Sequence, residues 1–106
     1  MTPEASDGPI VTVFRSRLRD DPDGYDETAV DMYLEATSMP GFLDFKQFTA
    51  DDGERVAIVQ FDTWEHQQAW RNHPDHRVAQ QRGREEWYAE YRIQVCRVLS
   101  EHNFGQ

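Results

Sequence analysis

Apolar and polar positions along the chain fall into six blocks. Ile10–Leu18 (IVTVFRSRL) is rich in β-branched residues and predicts a strand. Asp20-Asp21-Pro22-Asp23-Gly24 then breaks the chain, and Asp23 is the expected helix cap. Tyr25, Ala29, Met32, Tyr33 and Ala36 recur at the spacing of one helical face, and Met39-Pro40-Gly41 stops that helix. Phe42–Thr49 and Arg55–Phe61 read as two strands joined by the hairpin turn Ala50-Asp51-Asp52-Gly53. Asp62 or Thr63 can cap a short helix, Trp64–Arg71, which Asn72-His73-Pro74 interrupts. A further helix, capped by Asp75 and weakened by Gly83, is expected over 75–88, and a last strand over 91–99.

The predicted order is therefore β-α-β-β-α-β. This is the split βαβ, ferredoxin-like arrangement of the α+β class: a four-stranded antiparallel sheet with helices on one face. The strands do not alternate cleanly. Val56-Ala57-Ile58-Val59 is apolar on both faces, as is Phe42-Leu43 with Phe45 and Phe48. Strands lose their in/out alternation when both faces are covered. The second face is expected to meet the sheet of another copy, which makes a homodimer forming a dimeric α/β barrel.

Length and charge narrow the picture. The chain has 106 residues, enough for one domain, placed at 9–100 with tails at 1–8 and 101–106. Twenty acidic residues against 11 basic ones give a net charge of −9, which argues against a nucleic-acid partner and an anionic membrane surface. Residues 1–8 lack the basic and apolar regions of a secretory signal, and no apolar run approaches the ~18 residues of a membrane span. The single cysteine, Cys96, excludes an internal disulfide framework and fits a reducing, cytoplasmic home.

Candidate chemistry concentrates in residues 64–91, which hold all three tryptophans and three of the four histidines. Set over the sheet, this segment can roof a flat aromatic pocket with a few convergent polar groups. His73 and His76 are the candidate acid/base pair, since imidazole titrates near neutrality and can take a proton from a phenol or an enolisable carbon. The competing reading is that His73 caps a helix and His76 faces solvent. A His73-x-x-His76 metal site is disfavoured because Pro74 breaks the helix between them. Trp64 and Trp70 lie six residues apart, so one is expected in the core and the other at a wall. Trp87 and Tyr91 flank the last strand, with Tyr91 expected to be buried. Arg84, with Arg82, can hold a substrate oxygen, or pair instead with Glu85 or Glu86. The acidic stretch 20–35 reads as a solvated helix face, and Cys96 as a packing residue. Neither a phosphate-binding glycine loop nor a dinucleotide fingerprint is present, so neither flavin nor nicotinamide is expected.

The chain resembles the antibiotic biosynthesis monooxygenase family of small dimeric α/β-barrel proteins. The resemblance rests on the element order, the Met39-Pro40-Gly41-Phe42 turn, the passage Phe61-Asp62-Thr63-Trp64-Glu65, and the segment 69–79 with His73-Pro74-Asp75-His76. It implies a homodimer with a pocket between sheet and helices in each subunit. Some members oxidise anthrone-like polyketides to quinones with O₂ and no cofactor. The same resemblance matches Trp64 to a tryptophan bordering that pocket. By their position in the segment, His73 and His76 join Trp64 as the expected catalytic residues, and Trp70, Arg84, Trp87 and Tyr91 are the expected substrate contacts. A cyclase or isomerase on the same fold, or a non-catalytic dimeric protein binding a small molecule, remains the alternative. Haem-degrading relatives use an Asn, Trp and His set that does not line up here, because no histidine occurs from Arg77 through Leu99.

Overall fold

A computed structural model describes residues 8–105 of the chain. The expected tail at 1–8 therefore lies, apart from Gly8, outside the described residues. The elements run β1 (Ile10–Leu18), α1 (Tyr25–Thr37), β2 (Phe42–Thr49), β3 (Arg55–Phe61), α2 (Trp64–Arg71), α3 (Pro74–Arg82) and β4 (Tyr88–Arg97). All neighbouring strands pair antiparallel, in the order β2-β3-β1-β4, which is the ferredoxin-like α+β arrangement.

Helix caps depart from the expectations in two places. Asp23 does not cap α1. Gly24 occupies that position with φ 81°, a left-handed conformation open to glycine, and offers no side chain to the helix. At α3 the cap is His73, whose side chain accepts the Asp75 N–H, with Pro74 in the first turn. Thr63 caps α2 as anticipated, accepting from the His66 N–H at 3.1 Å. The helix expected over 75–88 ends at Arg82 and widens into a π-helical turn, Gly83–Trp87. A side chain at Gly83 would strike the Tyr88 ring, so any larger residue here has to displace that ring. Strand β4 consequently starts at Tyr88 rather than at Tyr91, and ends at Arg97 rather than Leu99.

One sheet face carries the helices. Ile10, Val59 and Phe61 on that face are buried, and Val59 and Phe61 form the main core with Ala36 of α1 and Trp70 of α2. Phe42 packs edge-on against Phe61 at 5.9 Å, and Tyr33 against Phe45 at 5.2 Å. A second cluster ties the end of the sheet to the start of α1. Tyr25 meets Trp87 and Tyr88 edge-on, and Phe14 meets Tyr88 and Tyr91. The buried Trp87 donates its indole N–H to the Asp23 carbonyl at 2.8 Å.

Among the described residues no element lies over the opposite sheet face. Val11 pairs there with Cys96, Val13 with Ile58, and Val56 with Phe48. Cys96 is exposed rather than packed. Among the described residues no helix is long and apolar enough to cross a membrane.

Candidate functional site

Helix α2 presents two faces to the fold, and its phase decides which residues meet which surface. Trp64, Gln67 and Arg71 follow at i, i+3 and i+7 and share one face. Gln67 fixes where that face points, because its amide donates to the Thr12 hydroxyl on β1 at 3.3 Å. Trp70 follows Gln67 at i+3 and is buried beside it, with His66 further round the helix. Trp70 is in the core, and His66 Nδ1 sits 2.7 Å from Asp62 Oδ1. The His66 hydrogen bond holds the Asp62 carboxyl below its ordinary value. The pair is wedged against the Pro40-Gly41 turn, where Gly41 has φ 81° and no room for a Cβ.

Below the Gln67 face, the helix-side residues of the edge strand are open. Tyr91, Ile93 and Val95 of β4 stand opposite Ser16, Phe14 and Thr12 of β1. They remain 37%, 47% and 39% exposed, although they lie on the side of the sheet that carries the helices. Tyr91 is thus not buried as expected. The helices cover β2 and β3 and stop short of the edge, leaving an apolar shelf beside β1. Arg84, in the π turn, reaches over the shelf and donates to the Tyr91 hydroxyl at 3.4 Å. At the far end of the same strand face lies Arg97, opposite Ile10. Its Nε is sealed from solvent with no hydrogen-bond partner among the described residues.

The two histidines of the expected acid/base pair are both occupied by structure. His76 does not face solvent. Its ring stacks on Trp70 with centroids 4.2 Å apart and planes 11° apart, and its Nδ1 lies 3.0 Å from the Trp70 carbonyl. A carbonyl only accepts, so Nδ1 carries the proton of the neutral ring. Burial pushes the His76 pKa below its usual value. His73 Nδ1 accepts the Asp75 N–H at 3.2 Å, which places its proton on Nε2, 3.8 Å from Glu35 Oε1. Contact with Asp75 raises the Glu35 carboxyl above the ordinary range, and burial adds to it. Glu35, His73 and Asp75 offer donor atoms within 4.8 Å of one another and are the residues that could hold a cation. A metal on His73 Nε2 would have to displace its proton and break the cap of α3, so the group is best described as a clasp between α1 and α3.

Of the other expected residues, Trp70 and Trp87 are core tryptophans, and Arg82 covers the Trp87 ring at 4.9 Å. The structure brings Trp64, Tyr91 and Arg84 to the shelf side and leaves His73, His76, Trp70 and Trp87 in the packing. Gln67, Ile93 and Val95 were not singled out from the sequence. The i, i+3 relation of Trp64 and Gln67 was the available signal. Two cavities lie elsewhere. One of about 350 Å³ is lined by residues of α2, α3 and the π turn, and one of about 460 Å³ lies between α1 and α3. Neither is walled by the sheet. Where a flat aromatic pocket between sheet and helices is expected, the single chain presents an open shelf.

Comparison with known proteins places this arrangement. The family model described as antibiotic biosynthesis monooxygenase matches residues 9–82, from β1 through the last residue of α3. The chain belongs to the antibiotic biosynthesis monooxygenase family. It is 34% identical over 106 residues to the Bacillus subtilis (strain 168) protein YqjZ, itself uncharacterized, covering 99% of this chain and 90% of that one. Among solved structures, Rv0793 of Mycobacterium tuberculosis superimposes with a TM-score of 0.78 at 16% identity, covering 90% of this chain and 99% of that one. A mutant form of SnoaB from Streptomyces nogalater, described as a cofactor-independent oxygenase, superimposes with a TM-score of 0.76 at 12% identity, covering 89% and 96%. At these identities both structures show the fold alone.

Proposed function

We propose that the protein is a cofactor-independent monooxygenase of its family that oxidises a flat, anthrone-type aromatic molecule with O₂. The observation that carries this reading is the exposed shelf of Tyr91, Ile93 and Val95 beneath the Trp64–Gln67 face of α2. Apolar side chains left open on the helix side of a sheet suit a planar, largely apolar ligand. The relative described as a cofactor-independent oxygenase adds support at the level of fold. The balance of the reaction needs no bound redox group. The anthrone CH₂ loses two hydrogens and becomes a ketone, O₂ supplies that ketone oxygen, and its other atom leaves as water. The substrate is the electron donor. What the protein supplies is placement and stabilisation of the electron-rich enolate. Arg84, poised on the Tyr91 hydroxyl, is the group that stabilises developing negative charge at a substrate oxygen. Trp64 borders the ring system, and Gln67 with Thr12 gives a polar edge.

The working unit is a homodimer. Val11, Val13, Val56, Ile58 and Phe48 on the uncovered sheet face are the surface that a second copy covers. We place the protein in the cytoplasm, in line with its lone exposed cysteine.

Oxygen uptake with 1,8-dihydroxyanthrone and metal-free protein tests the reading. Uptake proportional to enzyme supports it, and uptake no faster than the spontaneous rate across several anthrones rejects it. A product formed without O₂ consumption points instead to a cyclase or isomerase on the same shelf.

A further inference from the structure

Three arginines, of which the proposed oxidation uses only Arg84, converge on one cavity. Arg71 at the end of α2, Arg77 on α3 and Arg84 in the π turn line a space of about 350 Å³ with Asn72, Gln80 and Gln81. All six side chains carry N–H donors, of which Gln81 spends one on Glu85 and Arg84 one on the Tyr91 hydroxyl. Arg15, Arg17 and Arg82 each engage a carboxylate, whereas among the described residues none of Arg71, Arg77 and Arg84 does. Carboxylates are not scarce, since the chain carries 20 acidic residues against 11 basic ones. Glu85 stands at the rim, where its carboxylate accepts from Gln81 at 3.2 Å, but it pairs with none of the three guanidiniums, which repel one another and would be relieved by an anion between them. The planar guanidinium fork matches a carboxylate or phosphate in bidentate fashion.

Arg84 links this cavity to the shelf. Arg71 shares its α2 face with Trp64 and Gln67, and Arg84 touches Tyr91. We propose that Arg71, Arg77 and Arg84 form an anion subsite that holds an oxyanion group, carboxylate or phosphate, of a small molecule whose apolar part lies on the β4 shelf. The placement of the apolar part rests on the function proposed above, and the anion subsite does not.

Calorimetric titration with 1-naphthol, 1-naphthoate, 1-naphthyl phosphate and inorganic pyrophosphate separates the two. At least one naphthyl anion is expected to bind tenfold or more tightly than 1-naphthol, and the tighter anion identifies the group. The Arg71→Gln/Arg77→Gln double variant leaves Arg84 in place over the shelf. It is expected to lose most of that preference while binding 1-naphthol as the native protein does. The Lys counterparts are expected to restore part of it, since they keep the charge and lose the fork. An unchanged melting temperature establishes that the variant is folded. Equal affinity for naphthol and both anions overturns the proposal, as does a preference that survives undiminished in the double variant. Arginine-dependent binding of pyrophosphate with no binding of naphthol upholds the subsite and instead rejects the shelf.

Discussion

The stack of His76 on Trp70 has a definite pH signature. His76 is held neutral by burial, with its pKa pushed below the usual 6.5, while in the unfolded chain the ring titrates freely. Below pH 6.5 the unfolded state takes up a proton that the folded state refuses. The stability conferred by the neutral ring is therefore complete above pH 6.5 and is lost as pH falls toward the folded value. The slope is at most about 1.4 kcal/mol per pH unit. His76→Phe keeps an aromatic ring over Trp70 and removes the titration. At pH 8 the variant loses the Nδ1–H bond to the Trp70 carbonyl, a cost of about 1 kcal/mol. Urea unfolding from pH 8 to pH 5 checks this directly. The native protein is expected to start more stable, and the gap to close or reverse toward pH 5. Glu35 changes with the opposite sign, because its raised pKa favours the folded state as pH falls. It is present in both proteins and cancels in the difference. A gap that stays constant across the range refutes the buried neutral histidine.

Other expectations are as direct. Gly41→Ala forces a side chain into a left-handed backbone against Asp62 and His66, and should cost about 1–2 kcal/mol or more in chemical unfolding. Ile58→Asp places a charge in the middle of the uncovered sheet face, and light scattering should find dimers of the native protein and monomers of the variant. Ile93→Asp puts a charge on the open shelf and should abolish anthrone oxidation while leaving the melting temperature within a few degrees, because the side chain is already half exposed.

The order of elements was readable because each is marked by local chemistry. β-Branched runs made β1 and β3, Met39-Pro40-Gly41 ended α1, and Asp51-Asp52-Gly53 closed the hairpin. The end of the last helix was not readable, because its cause lies outside the helix. Gly83 must clear the ring of Tyr88, and the turn widens to π geometry. Thr63 was readable as a cap, and His73 was the competing reading, but the first choices at α1 and α3 were displaced for a related reason. Asp23 and Asp75 are good cap residues by type, yet Gly24 provides the left-handed entry to α1, and Pro74 brings His73 into capping position at α3. That histidine illustrates the limit at the site. Chemistry made His73 and His76 look like an acid/base pair, but a backbone N–H and a tryptophan carbonyl claim their Nδ1 atoms. Conversely, Ile93 and Val95 look like core from their alternation. Only the helix layer stopping short of β4 leaves them open.

The central claim is that this shelf carries out oxygenation. Turnover of 1,8-dihydroxyanthrone under ¹⁸O₂ by metal-free protein, followed by mass spectrometry, tests it most directly. The account predicts a quinone carrying one ¹⁸O atom at the former CH₂ position, formed at a rate proportional to protein and lost in Ile93→Asp. Unlabelled product, or labelled product forming no faster than without protein, contradicts it.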